Sequence, residues 1–126
     1  MLVTLYAAIL ALLYVFLSFR VINARRTYRV SLGDNNQAAV TKVVRVHGNF
    51  AEYVPFALLL IFFVENSGWQ PLYVHLLGVA LVVGRILHAY GVGKAKPSLN
   101  LRIAGMALTL LVLLLSALLL LIVRVM

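Results

Sequence analysis

Long apolar runs separated by short polar, mostly basic intervals set the pattern of this chain. Four of those runs are long enough to cross a bilayer, which takes about 20 residues each as helix. The first, from Leu2 to Phe19, carries no charge. Its positive residues follow the apolar run instead of preceding it, so it reads as an uncleaved anchor and not a signal peptide. No glycine or proline interrupts Val21 to Val30. The helix is therefore expected to continue past the bilayer to about Val30, with Arg25 and Arg29 sharing a face at i, i+4. Ser31-Leu32-Gly33-Asp34-Asn35-Asn36 is loop by composition.

The second run extends from about Val43 to Val64 and contains Pro55, which removes one backbone donor and predicts a kink. Glu65-Asn66-Ser67-Gly68 marks a tight turn, with Trp69 and Tyr73 as interface anchors. The third run, about Leu72 to Tyr90, offers Gly78, Ala80 and Gly84 for close helix packing. A basic loop follows, Gly91 to Ser98. The last run, Ile103 to Val123, is leucine-rich and reads as lipid-facing or bundle filler. The expectation is an all-α, integral membrane four-helix bundle forming one transmembrane domain over residues 1–126. Its spans lie at about 2–28, 43–65, 72–90 and 101–124.

Composition narrows the chemistry. With 126 residues, 64% of them hydrophobic, no separate soluble domain fits beside four spans. Cysteine is absent, so there is no disulfide, thiolate metal site or cysteine nucleophile, and no metal is expected. Any thiol chemistry must use a thiol brought by the ligand. The net charge of +8 follows the membrane and does not indicate nucleic acid. Arg20, Arg25, Arg26, Arg29, Lys42 and Arg45 surround the first loop, and Lys94, Lys96 and Arg102 the third. The loop between spans two and three has no basic residue, and Arg124 alone dissents. The positive-inside rule then puts both basic loops in the cytoplasm and both termini outside, in what would be a bacterial inner membrane.

Within the second span, Arg45, Asn49 and Glu52 fall within about 60° of one another and cover roughly 10 Å of helix axis. Ionisable side chains at such depth cost at least ~2.5 kcal/mol each and usually mark function. One reading is an Arg–Glu pair that only ties helices together. The other is a site for a small zwitterion, with arginine for carboxylate, glutamate for ammonium and asparagine for amide. Arg25, Arg26, Arg85, His88 and Arg102 would approach the same leaflet in this topology.

Arg45-x-His47-x-Asn49-x-x-Glu52-Tyr53-x-Pro55 resembles the second-helix signature of the MAPEG family, the membrane-associated proteins in eicosanoid and glutathione metabolism. Val21 to Val30 is similar to the end of the first helix in its leukotriene synthase branch. Gly84-Arg85-Ile86-Leu87-His88 resembles the third-helix pattern of its microsomal prostaglandin E synthases, and Arg102-Ile103-Ala104-Gly105-Met106 the opening of helix four in bacterial members. The resemblance implies a homotrimer that binds glutathione as co-substrate between subunits near the cytoplasmic side. Arg45, Asn49, Glu52 and Tyr53 would hold the glutamyl end, helped by His47 and by Arg25 of a neighbouring subunit. His88 matches a further ligand position, Arg102 the thiolate-stabilising arginine, and Arg26 an arginine serving the second substrate. Seven residues after Arg85, where the best-known eukaryotic enzymes carry tyrosine, this chain has Val92.

Three functional classes follow. The first is a glutathione transferase or peroxidase acting on hydrophobic electrophiles or lipid hydroperoxides; a guanidinium beside the thiol suits it, since it lowers a thiol pKa. The second is a non-catalytic glutathione- or lipid-binding scaffold of the same fold, since the family contains such a branch. The third, a proton-coupled drug exporter, needs a carboxylate in the first span, and none is there.

Overall fold

The computed structural model describes residues 1–126. Four helices follow one another through short connections: α1 Val3–Tyr28, α2 Ala38–Asn66, α3 Pro71–Gly93 and α4 Leu99–Val125. Each is long and apolar enough to cross a membrane, and the chain is an all-α, integral membrane four-helix bundle. Only 26 of 126 residues are buried, and the exposed surface is rich in residues such as Leu12, Phe16, Phe56 and Leu114. Such a surface is stable against acyl chains and not against water.

Consecutive helices run antiparallel, as their end contacts require. At the start of α1 the Leu2 and Val3 amides donate to the Glu65 carboxylate near the end of α2, the Val3 bond measuring 2.9 Å. The first amides of a helix have no partner within it, so a carboxylate there satisfies both donors and the positive end of the dipole. Tyr6 Oη lies 2.6 Å from His75 Nδ1, and Trp69 Nε1 donates to the Leu119 carbonyl at 3.3 Å. These contacts define the end of the bundle opposite the basic loops.

Helix boundaries depart from the sequence reading in two informative places. The α1 helix ends at Tyr28, because Arg29 turns left-handed (φ 54°) and the Val30 amide closes onto the Arg25 carbonyl at 2.9 Å. That cap buries Val30, the apolar contact that commonly accompanies such an ending. Arg29 is thus not on a helical face with Arg25. The α2 helix begins at Ala38, more than one turn ahead of Val43. Thr41 Oγ1 donates to Asp34 Oδ2 at 2.7 Å, and the Asn36 amide to Asp34 Oδ1 at 3.1 Å. Those two bonds hold the Asp34 carboxyl below its ordinary range and draw the extra turn into the helix. The helix then passes through Pro55.

The most extensive packing joins α3 to α4, and it is backbone against backbone. A Cβ on Gly105 would lie 2.5 Å from both the Gly84 carbonyl oxygen and the His88 amide nitrogen. One on Gly84 would lie 2.9 Å from Leu108 Cβ. Gly105, Thr109, Val112 and Ser116 continue this buried seam along α4, so the leucine-rich helix is more than filler. Gly105→Leu is expected to force the two helices apart and destabilise the protein by about 1–3 kcal/mol, the usual range for overpacking. Thermal unfolding in detergent should register it, while Leu111→Ala on the exposed face should change little.

Candidate functional site

At the basic end, α2, α3 and α4 enclose an open cavity of about 310 Å³. Lys42, Arg45 and Asn49 line it from successive turns of α2. His88 and Val92 line it from α3, and Ser98 and Arg102 from the start of α4. The short loop between α3 and α4 delivers Arg102. The Ser98 amide bonds to the Gly91 carbonyl at 2.9 Å, while Ser98 Oγ caps α4 by accepting from the Leu101 amide at 3.4 Å. Gly91 permits the approach, since a Cβ there would stand 2.8 Å from the Arg102 amide nitrogen.

Beneath this cavity lies Arg85, only 1% exposed. Its Nη2 donates to Asn49 Oδ1 at 2.7 Å and faces His88 Nδ1 at 3.4 Å. Its Nη1 faces Thr109 Oγ1 at 3.4 Å and Met106 Sδ at 3.8 Å, and the guanidinium lies 5.8 Å from the Phe50 ring centroid. No carboxylate is among these partners, and Nε makes no hydrogen bond. The arrangement fixes two cavity groups. With its oxygen committed to Arg85, Asn49 has its amide NH2 left to donate. A guanidinium facing His88 Nδ1 selects the imidazole tautomer with its proton on Nε2, because an arginine can only donate.

Of the residues singled out in the sequence, Arg45, Asn49, His88 and Arg102 meet in this cavity. Glu52 lies along α2 from it, its Oε1 3.8 Å from Arg45 Nη1, with both side chains more than half exposed. Tyr53 is half-buried beside Glu52 and does not line the cavity. His47 faces α1 instead, stacked on Tyr14 at 4.8 Å between centroids, with Nε2 3.1 Å from Ser18 Oγ. Its spacing already implies this, since two residues from both Arg45 and Asn49 is about 160° around the helix. Arg25 donates from Nε to the Gly33 carbonyl at 3.2 Å and shares a separate basic surface with Arg26 and Arg29. Within one chain, neither Arg25 nor Arg26 reaches the cavity.

The polar residues Thr41, Lys42 and Ser98 also line the cavity and were not among the sequence candidates, nor was Arg85 as the group that orients Asn49. The signal for Arg85 was present, as a lone cation one turn before His88 in an apolar span. Val92 forms part of the cavity wall. Tyr90 is on the outer surface, 60% exposed, and cannot replace a tyrosine at the Val92 position.

Comparison with known proteins identifies the family. The model of the MAPEG family matches residues 3–122. Inner membrane protein YecN of Escherichia coli strain K12, and its counterpart in E. coli O6:H1, are each 41% identical to the chain over 87 residues. The match covers 69% of this chain and 66%, just under two thirds, of the length of those relatives. From α1 through nearly all of α4, the chain belongs to the MAPEG family.

Proposed function

We propose that the chain is a membrane-bound glutathione transferase or peroxidase acting on hydrophobic electrophiles or lipid hydroperoxides. Glutathione would be held as thiolate between the subunits of a homotrimer, near the cytoplasmic face of the inner membrane. The observation that carries this reading is the donor set of the cavity. Lys42, Arg45, Arg102 and the Asn49 amide converge on it, and no carboxylate lines it. That set suits a ligand with two carboxylates and an ionisable thiol. The single ammonium of such a ligand finds its acid in Glu52, next along the same stripe.

The exposure of Arg45 and Glu52 supports an assembly. Glu52 is twelve residues from Val64, about 18 Å along the axis, well inside a hydrocarbon layer of about 30 Å. A charged pair more than half exposed at that depth is costly against lipid, and a second copy laid on this face of α2 removes the cost. The same contact would supply Arg25 to the ligand and Arg26 to the second substrate from a neighbouring subunit. Tyr53 lies at the edge of that junction. His47 is left to brace α1 against α2. Arg102 would stabilise the thiolate, since guanidinium stays charged where water is scarce. An apolar electrophile would enter sideways from the bilayer.

Val92 favours a second reading, a non-catalytic glutathione- or lipid-binding scaffold, because it puts an alkyl group where the eukaryotic enzymes carry a phenol. The two readings separate on turnover. Purified protein should consume a general aromatic electrophile and an organic hydroperoxide in a glutathione-dependent way; saturable glutathione binding with no turnover of either would support the scaffold.

Orientation has its own test. A tag inserted at Asn35 should be cytoplasmic and a reporter fused after Met126 should be outside. Labelling of the Asn35 tag from outside would strand the cavity away from cytosolic glutathione.

A further inference from the structure

A second groove opens on the other side of the basic end, between α1 and α3, with a volume of about 280 Å³. Leu13 and Phe16 from α1 and Ile86 and Ala89 from α3 form its floor, and Arg20 and Lys94 stand at its mouth. The Arg20 side chain extends from α1 to Gly93, the residue before Lys94. Arg20 is about 25 Å along α1 from Val3, and Lys94 about 34 Å along α3 from Pro71, at 1.5 Å per residue. Against a hydrocarbon layer of about 30 Å, both reach headgroup depth while the floor extends two turns into the acyl region. Arg20 lies across Gly93, where a Cβ would come within 2.9 Å of its Nη1. Lys94 Nζ is 5.3 Å from the centroid of the Tyr90 ring.

Nothing in the chain neutralises this pair. The chain has three carboxylate side chains, and each is engaged elsewhere. Asp34 is bonded to Thr41 and Asn36, Glu52 faces Arg45, and Glu65 accepts from the Leu2 and Val3 amides at the far end of the bundle. Two uncompensated cations above an apolar trough complement an amphiphile with an anionic head and a long hydrocarbon tail. We propose that the α1–α3 groove binds an anionic phospholipid, with the phosphate held between Arg20 and Lys94 and one acyl chain lying along Leu13, Phe16, Ile86 and Ala89. This site is distinct from the α2–α3–α4 cavity and does not depend on the glutathione reading.

The test is native mass spectrometry of the full chain, delipidated in mild detergent, with dioleoyl-phosphatidylglycerol or dioleoyl-phosphatidylcholine added. The wild type is expected to retain phosphatidylglycerol preferentially. Arg20→Gln combined with Lys94→Gln should weaken that retention about tenfold or more, as expected when two cations near a headgroup are lost. Arg29→Gln combined with Lys96→Gln removes the same charge from the same end and should weaken it less than threefold. Ala89→Leu, which fills the floor and leaves the charges, should also reduce retention. Equal losses in both charge pairs would overturn the site in favour of diffuse attraction. Full displacement by millimolar inorganic phosphate would overturn it in favour of a free-anion site. In bilayers, a single cysteine at Phe16→Cys in this cysteine-free chain should react with a membrane-soluble maleimide. Its protection, with cross-linking between copies, would assign the groove to a second copy of the chain instead.

Discussion

Arg102→Leu is expected to remove most of the glutathione-dependent turnover at neutral pH while sparing much of the glutathione affinity. An unperturbed thiol has a pKa near ~8.5, so only a few per cent is ionised at pH 7. A guanidinium within hydrogen-bond reach that lowers it by one or two units, each worth about 1.4 kcal/mol, raises the thiolate fraction about tenfold or more. Affinity depends more on Arg45, Asn49 and Glu52, which Arg102 does not touch. Val92 contributes no hydroxyl to the cavity wall, so the burden on Arg102 is greater here than where a phenol shares it. The loss should shrink as pH rises above the intrinsic thiol pKa, because the nucleophile then ionises unaided. Arg102→Lys should recover only part, since it keeps the charge and loses the planar fork. Turnover and ultraviolet thiolate absorbance at several pH values decide the matter. An Arg102→Leu protein with wild-type rate and thiolate fraction at pH 7 would remove Arg102 from the chemistry and direct attention to His88.

Glu52→Gln carries the second large effect, on binding. If Glu52 receives the ligand ammonium, glutamine loses a charge-assisted contact worth about 1.5–3 kcal/mol, so affinity should fall roughly ten- to hundredfold with the oligomer intact. If Glu52 serves only to neutralise Arg45 under a neighbouring subunit, the substitution leaves a buried cation unpaired, at about 3–5 kcal/mol. The oligomer would then fall apart with no change of affinity in what survives. Within a single chain the pair is long, at 3.8 Å, and its exposed face would meet acyl chains and not water, so the protomer alone does not satisfy these charges. Calorimetric titration of glutathione combined with size analysis of the same sample distinguishes the two cases.

Much of this was legible in the sequence because helices obey a fixed angular step. The stripe of Arg45, Asn49 and Glu52 follows from 100° per residue, and the four helices follow from the length and apolarity of their runs. The same arithmetic turns His47 away from the stripe. What could not be read depends on contacts between elements. The burial of Arg85 requires the Gly84–Gly105 approach of α3 and α4, and only then do Asn49 and Thr109 become its partners. Lys42 enters the cavity because α2 starts early, and that start rests on a bond from Thr41 to Asp34, seven residues back. The ending of α1 at Tyr28 carries no breaker in the sequence; it comes from the left-handed Arg29 and the burial of Val30. The separation of Arg25 and Arg26 from the cavity is likewise a property of the packed chain.

The cavity lined by Lys42, Arg45, Asn49 and Arg102 is proposed to take glutathione as its thiolate. Titrating glutathione into the detergent-solubilised wild-type protein at pH 7, and following ultraviolet thiolate absorbance against an S-methylglutathione control, tests it most directly. A saturable absorbance rise with glutathione, absent with the S-methyl compound and competed by it, is the result predicted. No saturable signal at millimolar glutathione, from protein that is folded and monodisperse, would contradict it.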